Sequence, residues 1–299
     1  MLRGAELALE RANRSTATLV ALDGYGEDRD EQAISNARRA REDERALAYL
    51  GDFHSSQVMR TAPLLGEAGL LQVAPVATFV GLHGPTLVRL MPHDGVGARA
   101  IADWLVQAGV RDVLVVHDHD EGYGVPVGAM CVSAAQERGL VARSRPVWDH
   151  GEPLAKDLGE AQAVVYVGVA GSGVVTLWHD LHAANPALWL LGTDGVAVRW
   201  LARELKHSAA ERTRLFVPHR GPLSFYGFEA MALILDAIAR GGGDRGATVM
   251  AARTTRNRDS VIGPYSLDEH GHTTATAYGR LVVVGGELVW DLAHASPPI

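Results

Sequence analysis

Short apolar runs alternate along the chain with segments whose apolar residues recur at helical spacing. The runs are rich in Val and Leu and are apolar on both faces, as is typical of parallel strands covered by helices. They cover residues 17–23, 46–53, 70–77, 112–118, 163–169, 187–194 and 214–218. The segments between them predict helices over 30–43, 97–108 and 223–239.

This alternation predicts an α/β protein with parallel sheets and right-handed crossovers. The pattern changes near the end, where RLVVVGGELVW (280–290) has two short β runs around a Gly-Gly pair and predicts a hairpin. A chain of 299 residues can form two cores. The sequence has no low-complexity linker, so two lobes would be joined by ordered crossings of the chain.

Composition narrows the classes of partner. The formal net charge is -7 and no Lys/Arg run is interleaved with aromatic residues, so nucleic acid is not expected as a partner. No apolar stretch approaches the roughly 20 residues of a membrane helix. Cys131 is the only cysteine, which excludes an intrachain disulfide and a multi-Cys zinc site. The first residues do not form a signal peptide, so an exported protein would have lost its leader from this chain.

Candidate chemistry lies just after the apolar runs, because ligands of doubly wound sheets bind beyond the carboxyl ends of the strands. Ser55 follows His54 at such an end, but its flanks, Phe53 and Gln57, do not form G-x-S-x-G. His54 is poorly placed as its base, because adjacent residues at a strand end point to opposite faces. A nucleophile is therefore disfavoured, and capping of the next helix by Ser55 or Ser56 stays open.

Two further motifs have simple interpretations. HDHD (117–120) resembles a metal cluster, but no third distant ligand is evident, and a solvated loop is favoured. The glycine-rich stretches 167–173 and 240–246 match no nucleotide-binding motif. We expect neither a metal nor a cofactor.

Asp194 follows a buried run and precedes Gly195, so in isolation it could cap a helix. Together with Ser55 and Thr78 it completes a pattern. Hydroxyls and helix N-termini suit a carboxylate, whereas a lone carboxylate suits an ammonium group. The three residues predict a pocket for a zwitterion.

An ordered set of segments resembles one family over nearly the whole chain. The segments include GDFHSSQVMRTAPLLGEAGLLQVAPVAT, VLVVHDHDEGYG, LLGTDG, YGFEAMALILDAIARGG and VIGPYSLDEHG. In this order they resemble the type I periplasmic binding proteins, and most closely the leucine/isoleucine/valine-binding components of branched-chain amino-acid ABC transporters.

The resemblance implies two doubly wound α/β lobes that close over a ligand in the cleft between them. Lobe 1 would comprise 1–93 and 219–280, and lobe 2 would comprise 94–218 and 281–299. Three crossings are expected, close to 91–95, 217–222 and 279–282.

The resemblance also implies roles for residues of the first lobe. Ser55 corresponds to the serine that binds the ligand carboxylate, with His54 facing the ligand side chain. Thr78 would contact the amino-acid head group, beside backbone groups of Val76 and Ala77.

In the second lobe, Tyr123 would reach the ligand and Asp194 would hold its ammonium group. Leu223 and Tyr226, at the start of a predicted helix, would lie near an apolar wall of the pocket.

The chain departs from the family pattern in three ways. It begins at the first helix, so the first strand of lobe 1 is missing. Where the family often has an aromatic residue, this chain has GVAGSG (168–173), which opens the wall around Val169 and Ala170. His54 is more polar than the small residue often found there.

These features lead us to expect a non-catalytic, periplasmic or extracytoplasmic protein that binds an α-amino acid, branched-chain or related, and delivers it to an ABC permease in the membrane. Two alternatives stay open: a ligand-sensing regulator of the same fold that binds an amide or another small molecule, and a Ser- or metal-dependent enzyme.

Overall fold

The computed structural model describes residues 1–12, 17–24, 28–120, 122–147, 154–219 and 221–291. Three parts of the predicted features lie outside the described residues: Glu121 in the 117–124 loop, position 220 in the second crossing, and 292–299 at the end of lobe 2. Among the described residues, no helix is long and apolar enough to cross a membrane.

The elements alternate as the apolar pattern predicts. The helices are α1 (Leu2–Arg11), α2 (Arg29–Glu42), α3 (Ser55–Glu67), α4 (Asp94–Gln107), α5 (Gly124–Gln136), α6 (Ser172–Ala184), α7 (Arg199–Glu204), α8 (His207–Glu211), α9 (Leu223–Gly241) and α10 (Arg245–Arg253). The strands are β1 (Ala48–Leu50), β2 (Leu71–Ala74), β3 (Leu87–Arg89), β4 (Asp112–His117), β5 (Val141–Pro146), β6 (Ala163–Val167), β7 (Trp189–Gly192), β8 (Thr213–Val217), β9 (Gly279–Val284) and β10 (Glu287–Trp290).

The chain divides into two compact units and passes between them three times. Unit 1 is Met1–His93 with Gly221–Ala277, and unit 2 is Asp94–Arg220 with Tyr278–Ile299. The expected boundaries therefore shift: residues 219 and 278–280, assigned to lobe 1 from the sequence, belong to unit 2. For residues 279 and 280 the reason is strand pairing, because Gly279 pairs with Val217 of β8 and Arg280 pairs with Phe216.

Unit 1 contains a parallel sheet in the order β1-β2-β3. Alternate residues of β2 point to opposite faces, as in any strand. Val73 packs against α9 and α10, whereas Ala74 packs against Val58 of α3. Helices thus cover both faces of this sheet.

The strand predicted at 17–23 is wrong. Residues 17–24 form no strand, and the sheet begins with β1. Ala17 and Leu19 pack instead against a cluster that includes Ala8 and Met231, on α1 and α9. Their apolar character therefore reflects packing on helices.

Unit 2 contains a sheet in the order β10-β9-β8-β7-β6-β4-β5. Strands β5 to β8 are parallel to β4, and β9 and β10 form the predicted hairpin, antiparallel to each other and to β8. The α4 and α5 side of the sheet buries Val115 and Val165, and the α6 side buries Val116 and Tyr166. The doubly wound α/β fold is confirmed.

Two strands were missed by the sequence pattern, β3 and β5. The order of strands reverses at β4, which lies between β5 and β6. In doubly wound sheets this reversal opens a crevice at the carboxyl ends of the strands. A ligand-binding site in unit 2 is therefore expected at the loops after β4 and β6.

Candidate functional site

The structure brings Ser55 and Thr78 together in unit 1. Ser55 is the first residue of α3, and its Oγ accepts hydrogen bonds from the backbone N–H groups of Thr78, at 3.3 Å, and Phe79, at 3.2 Å. A hydroxyl oxygen has two lone pairs and one proton. With both lone pairs taken, Ser55 can meet a further group only as a donor, which suits a carboxylate.

His54 stands at the N-terminus of α3 and is exposed. Its backbone N–H donates to Oε1 of Gln57 at 3.1 Å, one half of a capping box that explains where α3 begins. Its ring contacts Phe53 edge-on at 5.0 Å between centroids. Partial desolvation of the ring, and then the charge of Arg29, lower the pKa of His54, whereas the charge of Asp30 acts in the opposite direction.

The other unit 1 residues implied by the resemblance are more deeply placed. Ala77 is buried, and Val76 packs in one core cluster with Tyr226, with Leu223 against it. The side chains of these four residues therefore support the unit 1 core. Thr78 is buried as well, and the loop that carries it is anchored by Arg89, whose Nη1 donates to the carbonyl of Phe79 at 2.7 Å.

The structure also brings Tyr123 and Asp194 together, in unit 2. The Tyr123 hydroxyl lies 2.7 Å from Oδ1 of Asp194 and 2.9 Å from Oγ1 of Thr193. Its single proton goes to the carboxylate, and it accepts from the threonine hydroxyl. Tyr123 precedes α5, and Asp194 begins a 3-10 turn, Asp194–Val196, that Thr193 separates from β7.

The charged form of the Asp194 carboxyl is poorly solvated where it lies. Burial raises its pKa, although the hydrogen bond from Tyr123 and the charge of His219 act in the opposite direction. Burial and the neighbouring Asp194 and Asp94 raise the pKa of Tyr123 well above its ordinary value, so the phenol stays protonated. A cation beside Asp194 would offset its lost hydration.

A small cavity of about 10 Å³ adjoins this pair, at the lower limit for one water molecule. Its polar lining includes Asp94 and Tyr278, which the sequence analysis did not single out. Asp94 is the first residue of α4 and is 3% exposed. The cavity is too small for an amino acid, so it belongs to the support of Asp194.

Ala170 is joined to the backbone next to Asp194, and Val169 precedes it on an exposed loop. The N–H of Ala170 donates to the carbonyl of Gly195 at 2.9 Å, and Val169 is 61% exposed. A Cβ on Gly195 would lie 2.3 Å from the carbonyl oxygen of Gly168, so only glycine allows these two loops to approach.

Asp118 of HDHD organises the surrounding loops. Oδ2 of Asp118 accepts from the N–H of Val169 at 3.1 Å, and Oδ1 accepts from that of Asp120 at 3.2 Å. His117 is buried, with Nδ1 2.8 Å from the carbonyl of Asp118. Within the part of the chain that the structure describes, no group of three His, Cys, Asp or Glu residues could hold a metal ion.

A scan against protein-family models finds no match to the chain, and a search of the curated proteins finds none. Solved structures do match. A leucine-binding protein of Thermotoga maritima is 20% identical, with a TM-score of 0.77, over 97% of this chain and 92% of that one. An ABC transporter substrate-binding protein of Desulfitobacterium hafniense, in complex with Leu, is 18% identical, with a TM-score of 0.81, over 97% and 94%.

A third match is a solute-binding protein of an ABC transporter from R. palustris, in complex with 4-hydroxybenzoate. It is 17% identical, with a TM-score of 0.75, over 96% of this chain and 89% of that one. At such identities the similarity establishes the fold. The chain has the fold of the type I periplasmic binding proteins, as the sequence resemblance implied.

Proposed function

We propose that this protein is a non-catalytic, extracytoplasmic solute-binding protein, which captures a small zwitterionic ligand, an α-amino acid, and delivers it to an ABC permease. Ser55 and Thr78 of unit 1 would receive the ligand carboxylate. Asp194 of unit 2, held by Tyr123, would receive its ammonium group. A permease would then recognise the liganded state.

The observation that carries the proposal is the desolvated carboxylate of Asp194 held by a phenol proton. A buried carboxylate without a full counter-charge disfavours a neutral or anionic group next to it and favours a cationic one, whatever the net charge of the ligand. The solved structures with this fold include proteins in complex with Leu, with Isoleucine and with 4-hydroxybenzoate. Of these ligands, the two amino acids supply an ammonium group.

A thermal-shift screen of the purified chain tests this proposal. The panel is the twenty α-amino acids, their amides, their N-acetyl derivatives, benzoate and 4-hydroxybenzoate. A ligand that binds only the folded state stabilises it by about 2.7 kcal/mol at a hundredfold excess over Kd. Stabilisation by an α-amino acid, and none by its N-acetyl derivative, supports the proposal. Stabilisation by the aromatic acids alone would contradict the role of Asp194.

A further inference from the structure

Beside Ser55, three side chains form a surface at the carboxyl end of β1 that we call the Arg29 rim: Arg29, Phe53 and His54. Nη1 of Arg29 lies 3.5 Å from Nε2 of His54, and Phe53 is 47% exposed. The rim is held in place by backbone contacts, because Nε2 of Gln57 on α3 donates to the carbonyl of Arg29 at 3.1 Å. The N-termini of α2 and α3 are thus joined next to the proposed carboxylate site.

The rim carries one positive charge. Since burial and Arg29 lower the pKa of His54, the imidazole is neutral near pH 7 and its Nε2 can accept from the guanidinium. The remaining N–H groups of Arg29 stay available as donors, because a guanidinium has five. His54 therefore orients Arg29 without neutralising it.

Two nearby carboxylates accept hydrogen bonds from donors other than Arg29, although the charge of Asp30 also acts on His54, against that of Arg29. Asp28 caps α2 by accepting from the N–H groups of Asp30 and Glu31 at 3.0 and 3.1 Å. Oδ1 of Asp30 accepts from the hydroxyl of Ser56 at 3.1 Å. Among the residues that the structure describes, Arg29 forms no ion pair within 4 Å.

We infer that the Arg29 rim selects a ligand whose side chain ends in a carboxylate, that is, an acidic α-amino acid; this inference rests on the proposed function. Ser55 binds the α-carboxylate, and Arg29 binds the side-chain carboxylate. An aliphatic side chain would cover the guanidinium without offering an acceptor, which is unfavourable for a charged group. A carboxylate forms a charge-assisted, bidentate pair with arginine. An acidic side chain should therefore strengthen binding at the Arg29 rim, whereas a leucine side chain should weaken it.

Isothermal titration calorimetry with L-glutamate, L-aspartate, L-glutamine and L-leucine tests the inference. We expect the wild-type chain to bind glutamate or aspartate at least tenfold more tightly than leucine. Arg29→Met should weaken the binding of glutamate or aspartate at least tenfold and leave leucine binding unchanged or improved. Arg29→Lys keeps the charge and loses the planar fork, so its affinity for glutamate or aspartate should lie between those of the wild type and Arg29→Met.

Arg38→Met is the matched control, because Arg38 lies on the same helix and is exposed. This variant should bind the acidic amino acids and leucine with the same affinities as the wild type. If leucine binds as tightly as the acidic amino acids, or if Arg29→Met weakens all four ligands equally, the inference is wrong and the proposed function stands. If none of the four binds and no other α-amino acid does, the proposed function is wrong and the inference falls with it.

Discussion

Asp194→Asn separates the charge of this side chain from its shape. Asparagine keeps an oxygen that can accept the proton of Tyr123, which lies 2.7 Å from Oδ1 in the wild-type chain. The turn after β7 should therefore be retained. What disappears is the negative charge, whose burial raises the pKa of the wild-type carboxyl.

Affinity and stability should then move in opposite directions. Hydrogen bonds to charged groups contribute roughly 1.5–3 kcal/mol, so loss of the ammonium partner should cost about 2 kcal/mol, or roughly thirtyfold in Kd. The ligand-free variant should be at least as stable as the wild type, because a desolvated charge has been removed.

Calorimetric titration of an α-amino acid identified in the screen measures the first effect, and urea unfolding of the ligand-free chain measures the second. Asp180→Asn is the matched control, because Asp180 is exposed on α6 of the same unit. A Kd within twofold of the wild type, in a folded Asp194→Asn variant, would refute the reasoning.

Three further predictions concern the same residues. Ser55→Ala should raise Kd for an α-amino acid by about tenfold, because one hydrogen bond to a charged carboxylate is lost, while Ser56→Ala should not; equal effects in calorimetry would contradict this. Gly195→Ala should lower the free energy of unfolding in urea by roughly 1–3 kcal/mol, since its Cβ would meet the carbonyl of Gly168 at 2.3 Å; unchanged stability would show that the loops can separate freely. Because its pKa is raised, Asp194 should lose its charge above its ordinary value of 3.8 as the pH falls. The affinity for an α-amino acid should fall as this charge is lost. The same protonation removes the cost of the buried charge and so favours the folded chain. A Kd that does not change between pH 7 and pH 4 in calorimetric titration would contradict the assignment.

The central strands were predictable because buried parallel strands are apolar on both faces. β5 was not, because Val141–Pro146 is an edge strand with the sequence VARSRP, whose two arginines pair with Asp112 and Asp157. β3 was missed because it has three residues and ends in the buried Arg89. The stretch 17–23 was assigned wrongly because an apolar pattern does not distinguish pairing with a strand from packing on a helix.

The candidate site was partly predictable for a similar reason. Residues after strands converge at one edge of a sheet, and this brings Ser55 to Thr78 and Tyr123 to Asp194. Arg29 carried no such signal, since it lies at a helix start and does not directly follow a predicted strand. Its position depends on the packing of α2 against α3, and the local sequence pattern does not show how two helices pack.

The three passages of the chain between the units have a consequence for the order of folding. The core of unit 1 needs α9, whose Leu233 and Ala237 pack with β2, and the sheet of unit 2 needs β9, which pairs with β8. Both elements come from the last third of the chain. Neither unit can therefore complete its core during synthesis until that part has emerged from the ribosome, so both units should finish folding only after the last third of the chain has been made.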